Sequence, residues 1–137
     1  MKTAVLLFFI GAAVAVTYDE CIQCICIVET SCAMPDPLCN FDLHGSEACG
    51  PYQITYPYWI DGGRQGGDWK SCTESFSCSN STVDGYMARY ATEARLGHPP
   101  GCEDWARIHN GGPNGHTSAA TLGYWGRVHG CLHNYLP

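Results

Sequence analysis

Basic residues are scarce in this sequence of 137 residues, where seven Lys and Arg stand against thirteen Asp and Glu, for a formal net charge of −6 at pH 7. Lys70 is the only lysine after residue 2. Nucleic acids and anionic membranes are bound by clusters of cations, which this chain lacks. The composition therefore excludes both as expected partners.

Long apolar runs are also missing, apart from one at the beginning. Lys2 precedes an apolar segment over residues 4–16, which is too short to span a bilayer. The small-residue stretch AAVAVT offers cleavage after Ala15 or Thr17. We expect residues 1–17 to be a secretory signal peptide and residues 18–137 to be one secreted, extracellular domain, with no membrane partner. Without the signal peptide the formal charge is −7.

Familiar catalytic motifs are absent as well. The sequence contains no G-x-S-x-G elbow, no phosphate-binding Walker loop and no H-E-x-x-H zinc helix. Internal repeats and low-complexity linkers are also missing. We therefore expect neither a cofactor nor a catalytic metal, and the sequence leaves the oligomeric state open.

Cysteine, in contrast, is abundant. An even number of cysteines in an exported chain indicates disulfides, here five, and a reduced zinc protein is the alternative that a count of free thiols would exclude. Asn80-Ser81-Thr82 is an acceptor sequence for N-glycosylation, which predicts an exposed loop at Asn80. The ten cysteines are Cys21, Cys24, Cys26, Cys32, Cys39, Cys49, Cys72, Cys78, Cys102 and Cys131.

The periodicity of apolar residues predicts an α+β fold that is mostly α. Helices are predicted over residues 19–31, from a capping box at Ser81 and Asp84 to Gly97, in the segment CEDWARIH, and over residues 121–132. Residues 52–60 alternate as a strand does, although Pro57 restricts that strand to an edge or breaks it. The segment MPDPLC is predicted to be a loop.

Two carboxylates stand out for chemistry. Glu29 follows the apolar residues Ile27 and Val28, whereas Asp42 lies in a polar loop beside His44. Glycoside hydrolysis needs one carboxyl group that holds a proton and another that stays ionised, and burial raises the pKa of a carboxyl group. Glu29 and Asp42 fit these roles, but a solvated surface residue or, for Glu29, a metal ligand are alternative interpretations.

The aromatic residues at positions 52–59 offer flat faces with polar edges, which suit the apolar faces of sugar rings. The alternative is that half of them fill the core. Alternation along a strand would place Tyr52, Tyr56 and Tyr58 on one side and Trp59 on the other.

Seven ordered blocks resemble the invertebrate-type lysozymes, the family that includes destabilase, from about Cys21 to Cys131. The blocks are CIQCICIVETSC, CNFD, GSEACGPYQITYPYWID, GGDWKSC, YMARYA, ARIHNGGPNG and TLGYW. The resemblance implies a lysozyme-like domain and a muramidase that hydrolyses the β-1,4 bond between N-acetylmuramic acid and N-acetylglucosamine in bacterial peptidoglycan, with chitooligosaccharide as a related ligand. An antibacterial or digestive role follows from it.

The resemblance also assigns roles to residues. Glu29 falls on the proton donor of the family and Asp42 on its second carboxylate. The implied saccharide contacts are Ile54, Thr55, Tyr56, Pro57, Tyr58, Trp59, Ile60, Tyr90, His109, Asn110 and Gly111. As a hypothesis, three short loops close Cys26–Cys32, Cys39–Cys49 and Cys72–Cys78, so that Cys21 and Cys24 pair with Cys102 and Cys131 in an order left open.

The chain also departs from the family pattern. Four family cysteines are replaced, by Gly63, Thr82, His98 and His116, which would remove two bridges. The loop after Asp42 is one residue longer, with His44 as the extra residue, and Thr55 replaces a family lysine. Because the chain is acidic, we expect activity to be highest at acidic pH and at low to moderate salt.

Two alternative functions accompany the muramidase hypothesis. Destabilases also hydrolyse ε-(γ-Glu)-Lys isopeptide bonds, and the residues linked to that activity correspond to Ser46 and His109. Ser46 would otherwise cap a turn and His109 would order the sugar cleft. The second alternative is a non-catalytic sugar-binding antimicrobial protein, against which the presence of both Glu29 and Asp42 argues.

Overall fold

The computed structural model describes residues 4–7 and 14–135. Residues 1–3 and 8–13 of the predicted signal peptide lie outside the described residues, so the signal peptide stays a prediction. Within the described part of the chain, no helix is long and apolar enough to cross a membrane. The predicted α+β fold, mostly α and rich in disulfides, is confirmed.

Seven helices and three short strands make up the described chain. The helices are α1 (Tyr18–Thr30), α2 (Tyr56–Asp61), α3 (Trp69–Thr73), α4 (Phe76–Tyr90), α5 (Glu93–Leu96), α6 (Cys102–Gly111) and α7 (Leu122–Tyr135), with 3-10 turns at Gly115–Thr117 and Ala119–Thr121. The strands β1 (Cys39–Phe41), β2 (Glu47–Cys49) and β3 (Ile54–Thr55) form one antiparallel sheet in that order. The helices predicted for α1, α6 and α7 are confirmed.

The core lies where α1 packs against α6 and α7, with α4 closing it from the side of α2 and α6. Its fully buried side chains include Ile25, Ile54, Ile108, Val83 and Val128. Each such side chain contributes roughly 1.5–3 kcal/mol by leaving water. This packing holds the end of α1 against the beginning of α7.

All ten cysteines are paired, and the hypothesis of three short bridges is confirmed. The structure also settles the order that the sequence left open, because Cys21 pairs with Cys102 and Cys24 pairs with Cys131. The remaining bridges are Cys26–Cys32, Cys39–Cys49 and Cys72–Cys78. The long bridges fasten α1 to α6 and α7, whereas the short ones fix turns.

The predicted strand over residues 52–60 is wrong except at Ile54 and Thr55, because Tyr52 and Gln53 lie in a turn and the residues after Thr55 form a helix. The chain turns into α2 at Tyr56, where Thr55 is the N-cap and its hydroxyl accepts from the Tyr58 N–H at 3.4 Å. Pro57 stands in the first turn, where a helix needs no N–H from it. The proline that weakened the strand prediction is therefore a helix-start residue.

The beginning of α4 also differs from the prediction. Ser75 is the N-cap, six residues before the predicted cap at Ser81, and its hydroxyl accepts from the Cys78 N–H at 3.2 Å, so the helix begins at Phe76. Asn80 consequently lies on the helix rather than in a loop, although it is exposed. The helix ends at Tyr90, and Gly97, with a φ of 79°, ends α5 instead.

The structure describes the four positions at which the resemblance implies cysteines. The Thr82 hydroxyl is buried and donates to the Cys78 carbonyl oxygen at 2.9 Å. His98 Nε2 lies 3.0 Å from a carboxylate oxygen of Asp104. His116 Nδ1 is buried and has no hydrogen-bond partner among the described residues, and Gly63 has a φ of 103°.

Candidate active site

A cleft of about 450 Å³ opens between the end of α1, the β1–β2 hairpin, α2 and α6. Glu29 lines it from α1 and Asp42 lines it from the hairpin, so the two predicted carboxylates meet at one cleft. The lining residues are Glu29, Asn40, Phe41, Asp42, Ala48, Gln53, Thr55, Pro57, Tyr58, Asp61, Tyr86, His109, Asn110, Gly112 and Pro113.

Glu29 stands in the last turn of α1, where no basic residue offsets the negative end of the helix dipole. The helix stops at Ser31, whose left-handed φ of 58° reverses the chain, and the Cys26–Cys32 bridge closes that turn. The Glu29 side chain is only 18% exposed. The Tyr124 hydroxyl donates to its Oε1 at 2.8 Å.

His109 is buried beside Glu29, with a side chain only 3% exposed. Its Nε2 lies 3.0 Å from the Tyr52 carbonyl oxygen, which can only accept, so Nε2 carries the hydrogen. Nδ1, when it carries no hydrogen, accepts from the Tyr58 hydroxyl at 2.9 Å. The Nε2–H also faces Glu29 Oε1 at 3.5 Å. Both ring nitrogens of His109 therefore have hydrogen-bond partners, which fix the orientation of the ring beside Glu29.

These contacts distinguish the two oxygens of Glu29. Oε1 faces the Tyr124 hydroxyl and the His109 ring, whereas Oε2 has no hydrogen-bond partner within residues 14–135. Burial, then the charge of Glu29 and the hydrogen bond to it, raises the pKa of Tyr124 well above its ordinary value. The Tyr124 hydroxyl therefore stays a donor at neutral pH, and Oε2 is left as the oxygen that can carry a transferable proton.

Replacing Tyr124 with Phe removes this donor while keeping the ring. We expect kcat for glycoside hydrolysis to fall about tenfold, because a hydrogen bond to a charged group contributes about 1.5–3 kcal/mol, and KM to stay nearly constant, because Tyr124 is not a lining residue of the cleft. Tyr52→Phe is a matched control, since its hydroxyl bonds to Asn80 instead. Steady-state kinetics with a soluble chitooligosaccharide measures both, and equal losses in the two variants would contradict the assigned role.

Buried tyrosines should also limit alkaline stability. Burial raises the pKa of Tyr58 well above its ordinary value. The pKa of Tyr86 is raised to about 12, chiefly by burial and secondly by the charge interaction with Tyr90. Between pH 10 and these higher values the unfolded chain loses protons that the folded chain keeps, so the free energy of unfolding is unaffected below about pH 10 and falls above it. Denaturation followed from pH 7 to pH 12, with tyrosinate absorbance, measures the fall; a constant stability would contradict it.

Asp42 has different surroundings at the turn of the β1–β2 hairpin. Its Oδ1 accepts from the backbone N–H groups of His44 and Ser46, both at 2.8 Å. Oδ2 has no partner in the described chain, and the residue is exposed. The backbone of His44 thus supplies one of the bonds that orient Asp42. One carboxylate is sheltered and the other is solvated.

The predicted saccharide contacts divide into two groups. Thr55, Pro57, Tyr58, His109 and Asn110 line the cleft. Ile54 is fully buried in the core. Tyr56 and Trp59 line a separate shallow groove with Trp69, and Ile60, Tyr90 and Gly111 do not line the cleft either. Tyr90 contacts the cleft only indirectly: its hydroxyl donates at 2.8 Å to Asp61, which does line the cleft.

Several residues of the site are missing from the sequence prediction. Tyr124 is the most important, because it contacts Glu29 from 95 positions further along the chain. Tyr124 belongs to the TLGYW block, but the presence of that block does not predict which group the Tyr124 hydroxyl contacts. The other lining residues that the sequence analysis did not assign to the site include Asn40, Phe41, Gln53, Asp61 and Tyr86.

Ser46 and His109 are not joined as a nucleophile and its base would be. Ser46 lies in a different pocket, with Glu47 and Trp69, and no hydrogen bond links it to His109 within the described residues. Both nitrogens of His109 have other partners. The geometry therefore favours the ordering role of His109 over a hydrolytic Ser-His pair.

One cluster has the composition of a metal site, with Cys39, Glu47 and Cys49 bringing ligand atoms within 4.8 Å of one another. Its two sulfurs form the Cys39–Cys49 disulfide, so they are not thiolates. Metal binding by cysteine requires thiolate, and this cluster therefore does not form such a site.

Comparison with known proteins identifies the family. The family model described as Destabilase matches residues 18–131. The chain is 47% identical over 111 residues to Lysozyme 1 of Crassostrea virginica, covering 80% of this chain but only 57% of that protein. It is 49% identical over 107 residues to the invertebrate-type lysozyme of Ruditapes philippinarum, covering 78% of this chain and 76% of that one.

Solved structures agree with the sequence comparison. The crystal structure of Tapes japonica lysozyme matches with a TM-score of 0.70 at 48% identity, covering 80% of this chain and 85% of that one. The two folds are therefore alike over most of both chains. From its family match, its relatives and its fold, the chain belongs to the destabilase family and is an invertebrate-type lysozyme.

Proposed function

We propose that this lysozyme hydrolyses the β-1,4 bond between N-acetylmuramic acid and N-acetylglucosamine in bacterial peptidoglycan, with Glu29 as proton donor and Asp42 as the ionised partner. The observation that carries the proposal is that both carboxyl groups line one open cleft in unlike surroundings, one sheltered at a helix end and the other solvated in a hairpin. Unlike surroundings separate the acid from the base in a glycosidase.

The chemistry follows from this arrangement. Glu29 Oε2 donates its proton to the glycosidic oxygen while the bond from that oxygen to the anomeric carbon breaks. The anomeric carbon gains positive charge, and the Asp42 carboxylate opposes it across the cleft. A water molecule then adds to the anomeric carbon while it gives a proton to the ionised Glu29, which restores the acid.

The cleft suits a polysaccharide. Its volume of about 450 Å³ is that of a site for a small ligand, and its open form admits a longer chain. Asn40, Gln53 and Asn110 offer hydrogen bonds to sugar hydroxyls and acetamido groups, whereas exposed Phe41 and Pro57 offer apolar faces. Sugar rings require both kinds of contact.

Digestion of purified peptidoglycan tests the proposal. We expect the protein to clear a turbid suspension and to release fragments whose new reducing ends are N-acetylmuramic acid, as mass spectrometry after borohydride reduction reads directly. Reducing ends of N-acetylglucosamine would contradict the proposed bond. Binding without clearing would support the non-catalytic alternative, and release of lysine from a γ-Glu-Lys dipeptide, abolished in Ser46→Ala, would support the isopeptidase.

We also propose that the chain is secreted and that the signal peptide ends at Ala15, two residues before the boundary expected from the sequence, so that the domain of residues 18–137 keeps the N-cap of its first helix. In α1, Thr17 is the N-cap: its hydroxyl accepts from the Glu20 N–H at 3.2 Å, and its own N–H donates to the Glu20 carboxylate at 2.8 Å. Cleavage after Thr17 would remove this capping box, whereas cleavage after Ala15 keeps it and follows the A-x-A pattern at residues 13–15.

We therefore expect the mature protein to begin at Val16. Intact mass spectrometry of the protein exported by a eukaryotic host measures the boundary, and a chain that begins at Tyr18 would contradict it. The same spectrum shows whether Asn80 carries a glycan, which we propose because the side chain is exposed. Treatment with an N-glycosidase would then lower the mass.

A further inference from the structure

Two histidines near the end of α7 form a pair that the lysozyme site does not use. His129 and His133 are four residues apart, so they lie on the same face of the helix. Their Nε2 atoms are 3.1 Å apart, and the two ring planes are nearly perpendicular. Both residues are exposed, and neither lines the cleft.

The separation of the two nitrogens matches the bite of a chelated metal ion. Zinc–imidazole bonds are about 2.0–2.1 Å long, and two such bonds meeting at about 100° hold their nitrogens about 3.1 Å apart. The pair thus has this spacing before any ion binds. Without a metal, the Nε2–H of one ring donates to the Nε2 of the other. When a metal binds, the donor ring changes tautomer and carries its hydrogen on Nδ1, so that both Nε2 lone pairs are available to the ion.

The surroundings favour a cation at this place. His133 lies in the last turn of α7, where the helix dipole presents its negative end, and His129 lies one turn earlier. The chain as a whole is acidic, which raises the concentration of cations near its surface. Solvent access leaves room for water to complete the coordination of the ion.

We propose that His129 and His133 bind one divalent transition-metal ion of the zinc, nickel and copper group. Imidazole nitrogen suits these metals, whereas magnesium and calcium prefer oxygen ligands. The ion joins two successive turns of α7, the helix that also carries Tyr124, and so stabilises the end of that helix.

Trp125 provides a local probe for binding. Its ring centroid lies 5.2 Å from that of His129, one turn earlier on the same helix. Paramagnetic Ni²⁺ at the pair should therefore quench Trp125 fluorescence. Trp125→Phe should remove most of the quenching without removing the heat of Zn²⁺ binding, which would locate the ion on this face.

The test uses tag-free, disulfide-intact protein freed of metal with EDTA. We expect Zn²⁺ calorimetry at pH 7.5 to give one site per chain, with affinity reduced at least tenfold in His129→Asn and in His133→Asn. His44→Asn, which removes an exposed histidine from the hairpin, is the matched control and should bind as wild type. Mg²⁺ should give no heat of binding.

Thermal unfolding supplies an independent readout. Zn²⁺ at about a hundred times its Kd should raise Tm by roughly 5–10 °C in the wild type and by much less in either single variant. The variants should keep their lytic activity without metal, which shows that they are folded. Wild-type affinity in both single variants, or binding of the wild type only at millimolar Zn²⁺, would overturn the proposal.

Discussion

Replacing Glu29 with Gln should lower kcat for peptidoglycan hydrolysis by about 10²–10⁴-fold, the range that a general acid contributes. Gln has nearly the shape of Glu, and its carbonyl oxygen still accepts from the Tyr124 hydroxyl that bonds to Oε1. The side-chain amide that replaces Oε2 has no proton acidic enough to transfer. The rate of release of reducing ends from purified cell walls measures the loss.

Glu103→Gln is the matched control for this experiment. Glu103 is an exposed carboxylate on α6 whose ion pair with Arg107, at 3.7 Å, contributes little to stability. Its variant should hydrolyse cell walls at the wild-type rate. Co-sedimentation with insoluble peptidoglycan should show that Glu29→Gln still binds. If Glu29→Gln hydrolysed cell walls at the wild-type rate, Glu29 would not be the proton donor.

The sequence predicted the two carboxylates from their chain neighbours, although the groups that contact Glu29 come from α6 and α7. Glu29 follows its apolar neighbours in one helix, and Asp42 lies within a short hairpin whose N–H groups come from His44 and Ser46. Chain neighbours therefore supply the hydrogen bonds of Asp42, whereas the contacts of Glu29 come from distant parts of the chain. The family resemblance then added their roles.

The parts that the sequence did not predict depend on tertiary contacts or on competing local signals. Tyr124 reaches Glu29 only because α7 packs on α1, and no periodicity carries that information. At residues 52–60, alternation favoured a strand, but a capping threonine followed by a proline favoured a helix start, and the local cap prevailed. Likewise Ser75 capped α4 before the box at Ser81.

The Cys24–Cys131 bridge fastens α1 to α7, and its removal should have the second large effect. The bridge closes a span of 107 residues, and replacing both cysteines with Ala should lower the free energy of unfolding by about 4–5 kcal/mol, chiefly by freeing the unfolded chain. Guanidinium denaturation without reductant measures the change. Because domains of this size are stable by only about 5–15 kcal/mol, the variant should lose roughly a third or more of the stability of the fold.

The Cys72–Cys78 bridge provides the matched comparison, because it spans only six residues. The same change there should lower the free energy of unfolding by about 2 kcal/mol, since a short loop restricts the unfolded chain less. Lytic activity should respond differently too. The variant without Cys24–Cys131 should lose activity at a lower temperature, because the contact between Tyr124 and Glu29 depends on the packing of α7 on α1. Equal destabilisation by the two double variants would show that loop length does not control the stability of this fold.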